Sequence, residues 1–160
     1  MEDKAMIIRT ARLSDAEAMS RILTDIIAVT QRQRPHDQDF VRDTYINNPH
    51  GILCSVAEDE NGEVLGFQSL IRAVEDNKYG VTAGWGIIGT HVSPNAARRG
   101  VGKALFAATR LAAENADLQN IDATIGADNA NGLAYYDAIG FQSYRTGDNT
   151  ICKRFSIFSS

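Results

Sequence analysis

Cysteine, basic charge and long apolar runs are all scarce in this sequence, and each scarcity removes a class of protein. Two cysteines, Cys54 and Cys152, cannot form a disulfide framework, and neither stands at a metal-ligand spacing from another Cys or His. Both are expected to be reduced thiols. His36 and His50 show no ligand spacing either, so no metal is expected. No stretch approaches the roughly 20 apolar residues of a membrane span. The opening "MEDKAMIIRT" carries acids where a secretory signal needs a basic segment, so a cytoplasmic protein without membrane contact is expected. Sixteen basic residues against 20 acidic ones give a formal net charge of -4. That balance argues against nucleic-acid binding, which needs a basic face to displace counterions from phosphates.

What is present is the composition of an ordinary globular chain: 160 residues, 44% hydrophobic and 22% charged, with no low-complexity tract or internal repeat. The length fits one domain, 1–160, with a core that needs no staple.

Periodicity and punctuation give an element order. "MIIRTA" reads as a strand. Ser14 as N-cap and Glu17 as its capping-box partner open a helix to about Val29, with Met19, Ile22, Leu23 and Ile26 on one face. A second helix is expected to start near Pro35 and end at Asn47–Gly51. Ile52–Glu58 and Glu63–Arg72 read as strands joined by an Asn-Gly hairpin turn. "VTAGWGIIGTHV" reads as another strand. Val101, Ala104, Leu105, Ala108, Leu111 and Ala112 then trace a helical stripe out to about Ala116. "NIDATIG" is a strand, "NANGLAYYDAI" a helix closed by Gly140, and two strands flank Gly147. The order β-α-α-β-β-β-α-β-α-β-β predicts an α/β fold, a mixed sheet with helices on both faces.

Three glycine signatures compete. "GWGIIG", Gly84 to Gly89, fits the dinucleotide fingerprint letter for letter, but "THVSP" continues it as strand where that fingerprint requires a turn into a helix. Glycines inside a strand more often mark a bulge or a close approach. "RRGVGKA" fails as a nucleotide-triphosphate loop because Ala97 and Ala104 stand where Gly and Ser or Thr are needed. The remaining reading is an anion site. Gly100 and Gly102 let the chain turn tightly into a helix whose first N–H groups and dipole favour a phosphate, with Arg98, Arg99 and Lys103 around it.

"VSPNAARRGVGKALF" resembles the diphosphate-binding motif Q/R-x-x-G-x-G/A of the GNAT superfamily of N-acyltransferases, with Gly100 and Gly102 as its glycines. "DNANGLAYYDAIGF" is similar to the family's N-x-x-A-x-x-x-Y-x-x-x-G-F block, and chain length and N-terminal pattern are similar to amino-acid and phosphinothricin N-acetyltransferases. Ala97 falls at the Q/R position, so one side-chain contact near the phosphates is absent or supplied by Arg98 or Arg99. The resemblance implies a mostly antiparallel sheet of about six to seven strands. It also implies acetyl-CoA as acyl donor, held by Val92, Arg98, Arg99, Gly100, Val101, Gly102, Lys103, Asn129 and Tyr136.

Acetyl transfer to an amine needs an unprotonated amine, a stabilised oxyanion and a proton for the departing thiolate. The resemblance maps the oxyanion donor to the Val92 N–H, at a bulge that splays its strand from the next, and the general acid to Tyr136. A phenol of ordinary pKa about 10 keeps its proton at neutral pH. Asn129 and Tyr136 are seven residues apart, so a helix holding both would present them on one side, with Tyr135 turned about 100° toward the core. The family's strand glutamate is missing. His91 is the only titratable group on that strand, and a water chain drained by backbone carbonyls, His91, Glu75 or Asp76 is favoured over His91 alone as the base. Cys54 has no His nearby in sequence, so direct attack is expected over an acyl-enzyme.

The resemblance implies a small amine or amino acid as acceptor, with Val29–Tyr45, Glu75–Trp85 and Tyr144–Asn149 as the candidate segments that shape its site. Arg32 and Arg34 could hold a carboxylate or form a solvated face. Alternatives are a protein N-terminus or lysine as acceptor, and a non-catalytic acyl-CoA-binding domain. A homodimer is compatible with the resemblance.

Overall fold

The computed structural model describes residues 5–97 and 99–158. Its elements run β1 (Met6–Thr10), α1 (Ala16–Thr30), α2 (Gln38–Val41), β2 (Gly51–Asp59), β3 (Val64–Arg72), β4 (Gly86–Val92), α3 (Val101–Asn115), β5 (Asn120–Gly126), α4 (Ala130–Ala138), β6 (Gln142–Gly147) and β7 (Thr150–Ser156). Seven strands form one open sheet in the order β1-β2-β3-β4-β5-β7-β6. Every pairing is antiparallel except β4 with β5.

β3 is an interior strand, paired on both edges and buried over most of its length, and it divides its side chains between two cores. Phe67 packs with Met19, Ile22 and Leu23 of α1 and with Val41 and Tyr45. Leu70 packs on the opposite face with Phe106 and Ala113 of α3, Ile121 and Ala123 of β5, and Tyr136 and Phe141 around α4. The hairpin between β2 and β3 turns at Gly62, φ 80°, and the Asp59 carboxylate accepts the N–H of Asn61 and of Glu63, each at 2.9 Å.

Five local expectations need correction. α1 is preceded by a short 3₁₀ turn, Leu13–Asp15, and Asp15 rather than Ser14 closes it, accepting the Arg12 N–H at 2.7 Å. Glu17 pairs with Arg21 one turn on, not back across a capping box. The second helix begins after Asp37, whose carboxylate accepts the Phe40 N–H, and not at Pro35. Leu111 is 58% exposed on the far side of α3, whose buried stripe is Val101, Leu105, Phe106, Thr109 and Ala113. β4 begins at Gly86, because Thr82–Trp85 forms the turn that leads into it.

No described helix is long and apolar enough to cross a membrane.

Candidate functional site: the split between β4 and β5

β4 and β5 pair only at Gly86–Ile121 and Ile87–Asp122. Beyond Ile87 the two strands part, and this opening organises the site. The expected cause, a bulge in β4, is not there: β4 holds unbroken register with β3 from Arg72–Gly86 to Gly66–Val92. The flanking bonds Ser93 N–H to Leu65 O and Ala73 N–H to Trp85 O fix which β4 residues face β3. By the alternation of an antiparallel ladder, Ile88, Thr90 and Val92 then turn their N–H and C=O groups toward the opening. The glycines of β4 serve packing. A Cβ on Gly86 would stand 2.8 Å from Leu70 Cδ1 and 2.9 Å from Leu118 Cδ1.

One end of the opening is met by the start of α3. Gly100, at φ 74°, adopts the left-handed conformation that glycine takes without a Cβ penalty, and its carbonyl accepts the Ala104 N–H at 3.0 Å. The N–H groups of Val101, Gly102 and Lys103 therefore lead the helix without intrahelical acceptors. Arg99 and Lys103 are exposed beside them, and no carboxylate pairs with either among the described residues. Arg98 lies outside the described residues. A helix start of this kind favours an anion, and no side-chain change at Ala97 removes its backbone amides.

α4 closes the other flank, in a different phase from the one expected. Asn129 is the N-cap, with non-helical φ and ψ, and its side chain accepts the Gly132 N–H at 3.1 Å, so counting helical phase from Asn129 fails. Tyr136 is buried, and its hydroxyl lies 2.8 Å from Thr90 Oγ1 on β4. Tyr135 does not turn wholly into the core: it is the less buried of the two and donates its hydroxyl to the Gly102 carbonyl at 2.7 Å. Gln68, fully buried on β3, joins both. Its amide donates to Thr90 Oγ1 at 2.9 Å and to the Tyr135 hydroxyl at 3.0 Å, and its carbonyl accepts from Thr109. Burial pushes both phenols up, Tyr135 to about 12, so both stay protonated at neutral pH.

The opposite face of the sheet carries a second group of side chains. His91 on β4 lies against the rings of Phe67 and Tyr45, with the Tyr45 hydroxyl 3.3 Å from its Nε2. Burial, assisted by the Arg34 charge, pushes His91 down to about 3. The imidazole is therefore neutral through the physiological range and a weak proton acceptor. Asp122 on β5 is fully buried, accepting from Tyr144 at 2.5 Å and Thr124 at 2.7 Å, and burial raises its carboxyl. Trp85 packs on Tyr144 with ring centroids 5.5 Å apart. Glu75 and Asp76 are exposed in the loop after β3 and have no hydrogen bond to these groups among the described residues. Burial raises Cys54 to about 12, which keeps it a thiol.

Gln68, Thr90, Asp122 and Tyr45 were not singled out from sequence. The available signal was a polar residue inside an otherwise apolar strand, Gln68 in "VLGFQSLI" and Asp122 in "NIDATIG". Partners on other elements decide whether such a residue is structural or functional.

The pattern of the acetyltransferase (GNAT) family matches residues 17–141. The chain belongs to this family. Solved structures agree over nearly all of it. The structure of yncA from Salmonella typhimurium, determined with acetyl-CoA, is 20% identical, covers 98% of this chain and 96% of its own, and superposes with a TM-score of 0.74. A structure assigned as a phosphinothricin N-acetyltransferase is 19% identical, with coverage of 97% and 100% and a TM-score of 0.73. Ribosomal-protein-alanine N-acetyltransferase from Brucella melitensis is 22% identical, with coverage of 94% and 99% and a TM-score of 0.72. At these identities the likeness is one of fold. Among proteins of curated function, none matches the sequence. The fold of this GNAT acetyltransferase is thus the mixed, mostly antiparallel sheet that its motifs led one to expect.

Proposed function

We propose that the protein transfers an acetyl group from acetyl-CoA to the primary amine of a small molecule or amino acid, by direct attack within a ternary complex. One observation carries the reading: α3 begins beside the end of β4, where Val92 packs against the cluster that holds Val101, so the leading amides of α3 face the opening into which Thr90 and Val92 turn their N–H groups. A diphosphate on the first and an acyl carbonyl at the second are two ends of one extended ligand. When bound, acetyl-CoA supplies an acyl group activated as a thioester.

The chain's own groups then have separable tasks. The first turn of α3, with Arg99, Lys103 and Arg98, holds the diphosphate. The Val92 N–H meets the oxygen on which negative charge develops. Tyr136, protonated and buried at the opening, gives its proton to the departing sulfur, and the Thr90 hydroxyl beside it holds the phenol in place. The amine's proton leaves to solvent along a chain of waters that the carbonyls of β4 hold by accepting their hydrogen bonds. His91, neutral and held low by burial, orients the acceptor more readily than it takes a proton. Asn129 contributes by capping α4 and so setting where Tyr136 stands.

The half-buried face beside Tyr45 and His91 favours a small acceptor over a protein N-terminus or lysine. The test is competition followed by kinetics. Desulfo-CoA should displace acetyl-CoA while ATP and NAD do not, and initial rates with an amine should give the intersecting pattern of a ternary complex. Parallel lines would mark an acyl-enzyme. Binding without turnover on any amine would mark a non-catalytic acyl-CoA-binding domain.

A further inference from the structure

The segment between α1 and α2 is built to aim two arginines at the sheet. α1 ends at Thr30, and Gln31, at φ 63°, turns the chain out of the helix. Exposure then alternates, with Gln31, Gln33 and Pro35 outward and Arg32 and Arg34 inward. The segment is tied to α1 through Ser20 Oγ, which donates to the His36 carbonyl at 2.5 Å.

The two arginines differ in what they meet. Arg32 is neutralised, its guanidinium 2.8 Å from the Asp128 carboxylate. Arg34 meets only neutral acceptors among the described residues: the Tyr45 hydroxyl at 2.6 Å and the Pro35 carbonyl at 3.3 Å. Its charge is felt by its neighbours, lowering both Tyr45 and His91 against the shifts or with the shifts that burial imposes. A half-buried guanidinium without an anion keeps most of its fork unused, and a carboxylate is the group that fills such a fork in bidentate fashion. Tyr45 and His91 connect this cation to β4. Two residues before His91 is Gly89, where a Cβ would stand 3.2 Å from Ser69 Oγ, so the sheet face there is kept low.

We propose that Arg34 is the carboxylate anchor of the acceptor site, making the acceptor class α-amino acids and their carboxylated analogues. The assignment rests on the acetyl-transfer reading for its chemistry, though not for the binding itself. The carboxylate sits on Arg34, beside Tyr45, and the amino group lies toward Gly89 and the opening between β4 and β5.

The test uses the twenty common amino acids and, paired with each, its α-carboxamide, which keeps the amine and removes the charge. Wild-type protein should release CoA thiol faster with at least one acid than with its amide. Arg34→Gln should lower kcat/KM for that acid by about 10- to 150-fold, the range for losing a hydrogen bond to a charged group, mostly through KM. It should leave the amide within a few fold and acetyl-CoA binding unchanged, and Arg34→Lys should recover part of the loss. Amides used as well as acids, or acids and amides slowed alike by Arg34→Gln, would overturn the anchor while leaving acetyl transfer intact. Calorimetry with desulfo-CoA present separates the two readings: an acid that binds through Arg34 without any thiol release keeps the anchor and defeats the transfer. An absence of binding by every acid, with no thiol released, overturns both.

Discussion

The Tyr136 hydroxyl stands 2.8 Å from the Thr90 hydroxyl, tying α4 to β4 where β4 has just parted from β5. Burial keeps the phenol protonated, so its available role is to donate. Tyr136→Phe should keep the fold and acetyl-CoA affinity while lowering turnover roughly ten- to a thousandfold, the scale of lost general acid help. Thr90→Val should reproduce a smaller part of the same loss in kcat with little change in KM. Steady-state kinetics at saturating acetyl-CoA measure both, and an unimpaired Tyr136→Phe would remove the phenol from the chemistry.

Tyr135 answers to a different readout. Its hydroxyl is shared between Gln68 and Gly102, so Tyr135→Phe should cost about 1–2 kcal/mol of stability by leaving buried partners unsatisfied, while turnover stays within a few fold. Denaturant unfolding of the two phenylalanine variants side by side distinguishes the roles. Exchange of the two phenotypes would mean that Tyr135 is the donor.

Gly102 is constrained by Tyr135 and not only by a ligand. A Cβ there would lie 2.6 Å from Tyr135 Cε1, a rigid ring atom. Gly→Ala inside a helix ordinarily stabilises by about 1 kcal/mol, but here the sign should reverse, with a loss of about 1–3 kcal/mol from overpacking. In a Tyr135→Ala background the same change should become neutral or stabilising. A stabilising Gly102→Ala in the wild-type chain would contradict the packing.

Arg99 and Lys103 should contribute to acetyl-CoA affinity through screened charge. Replacing either by Ala should weaken binding at low salt, and the difference should shrink as salt rises. Titration calorimetry at two ionic strengths measures it, and a salt-independent loss would point to a disturbed fold.

His91 links stability to acid. Its folded pKa, about 3, lies below the ordinary value of 6.5, so between these limits the unfolded chain binds the proton and the folded chain does not. Stability should therefore fall as pH drops below 6.5, with a slope of up to about 1.4 kcal/mol per pH unit from this group. His91→Gln should remove that component. The same shift means that His91 should leave no limb near pH 6 to 7 in the rate profile, and a limb there that vanishes in His91→Gln would show the imidazole acting as the base.

Much of the fold was legible because its signals are local. The Asn-Gly turn, the glycine-rich entry to α3 and the Gly140-Phe141 end of α4 each specify their own backbone. At the candidate site, the backbone from Gly100 to Lys103 was legible, because a glycine turn into a helix is a local signal. It was less so where side chains meet across elements. The phase of α4 could not be counted from Asn129, since a cap residue is not helical. The fixing of Tyr136 by Thr90 and of Tyr135 by Gln68 depends on residues 46 and 67 positions away. Arg32 and Arg34 could be named together from sequence as candidate carboxylate ligands, but only packing shows that Arg32 pairs with Asp128 while Arg34 meets neutral acceptors among the described residues.

The most direct measurement of the central claim is CoA thiol release from acetyl-CoA across a panel of amines, with Tyr136→Phe run beside the wild-type protein. The account predicts release that requires an amine, yields one N-acetylated product per thiol, and falls at least tenfold in the variant with acetyl-CoA affinity retained. Thiol release at the same rate without any amine, or none with any amine despite tight acetyl-CoA binding, would contradict it.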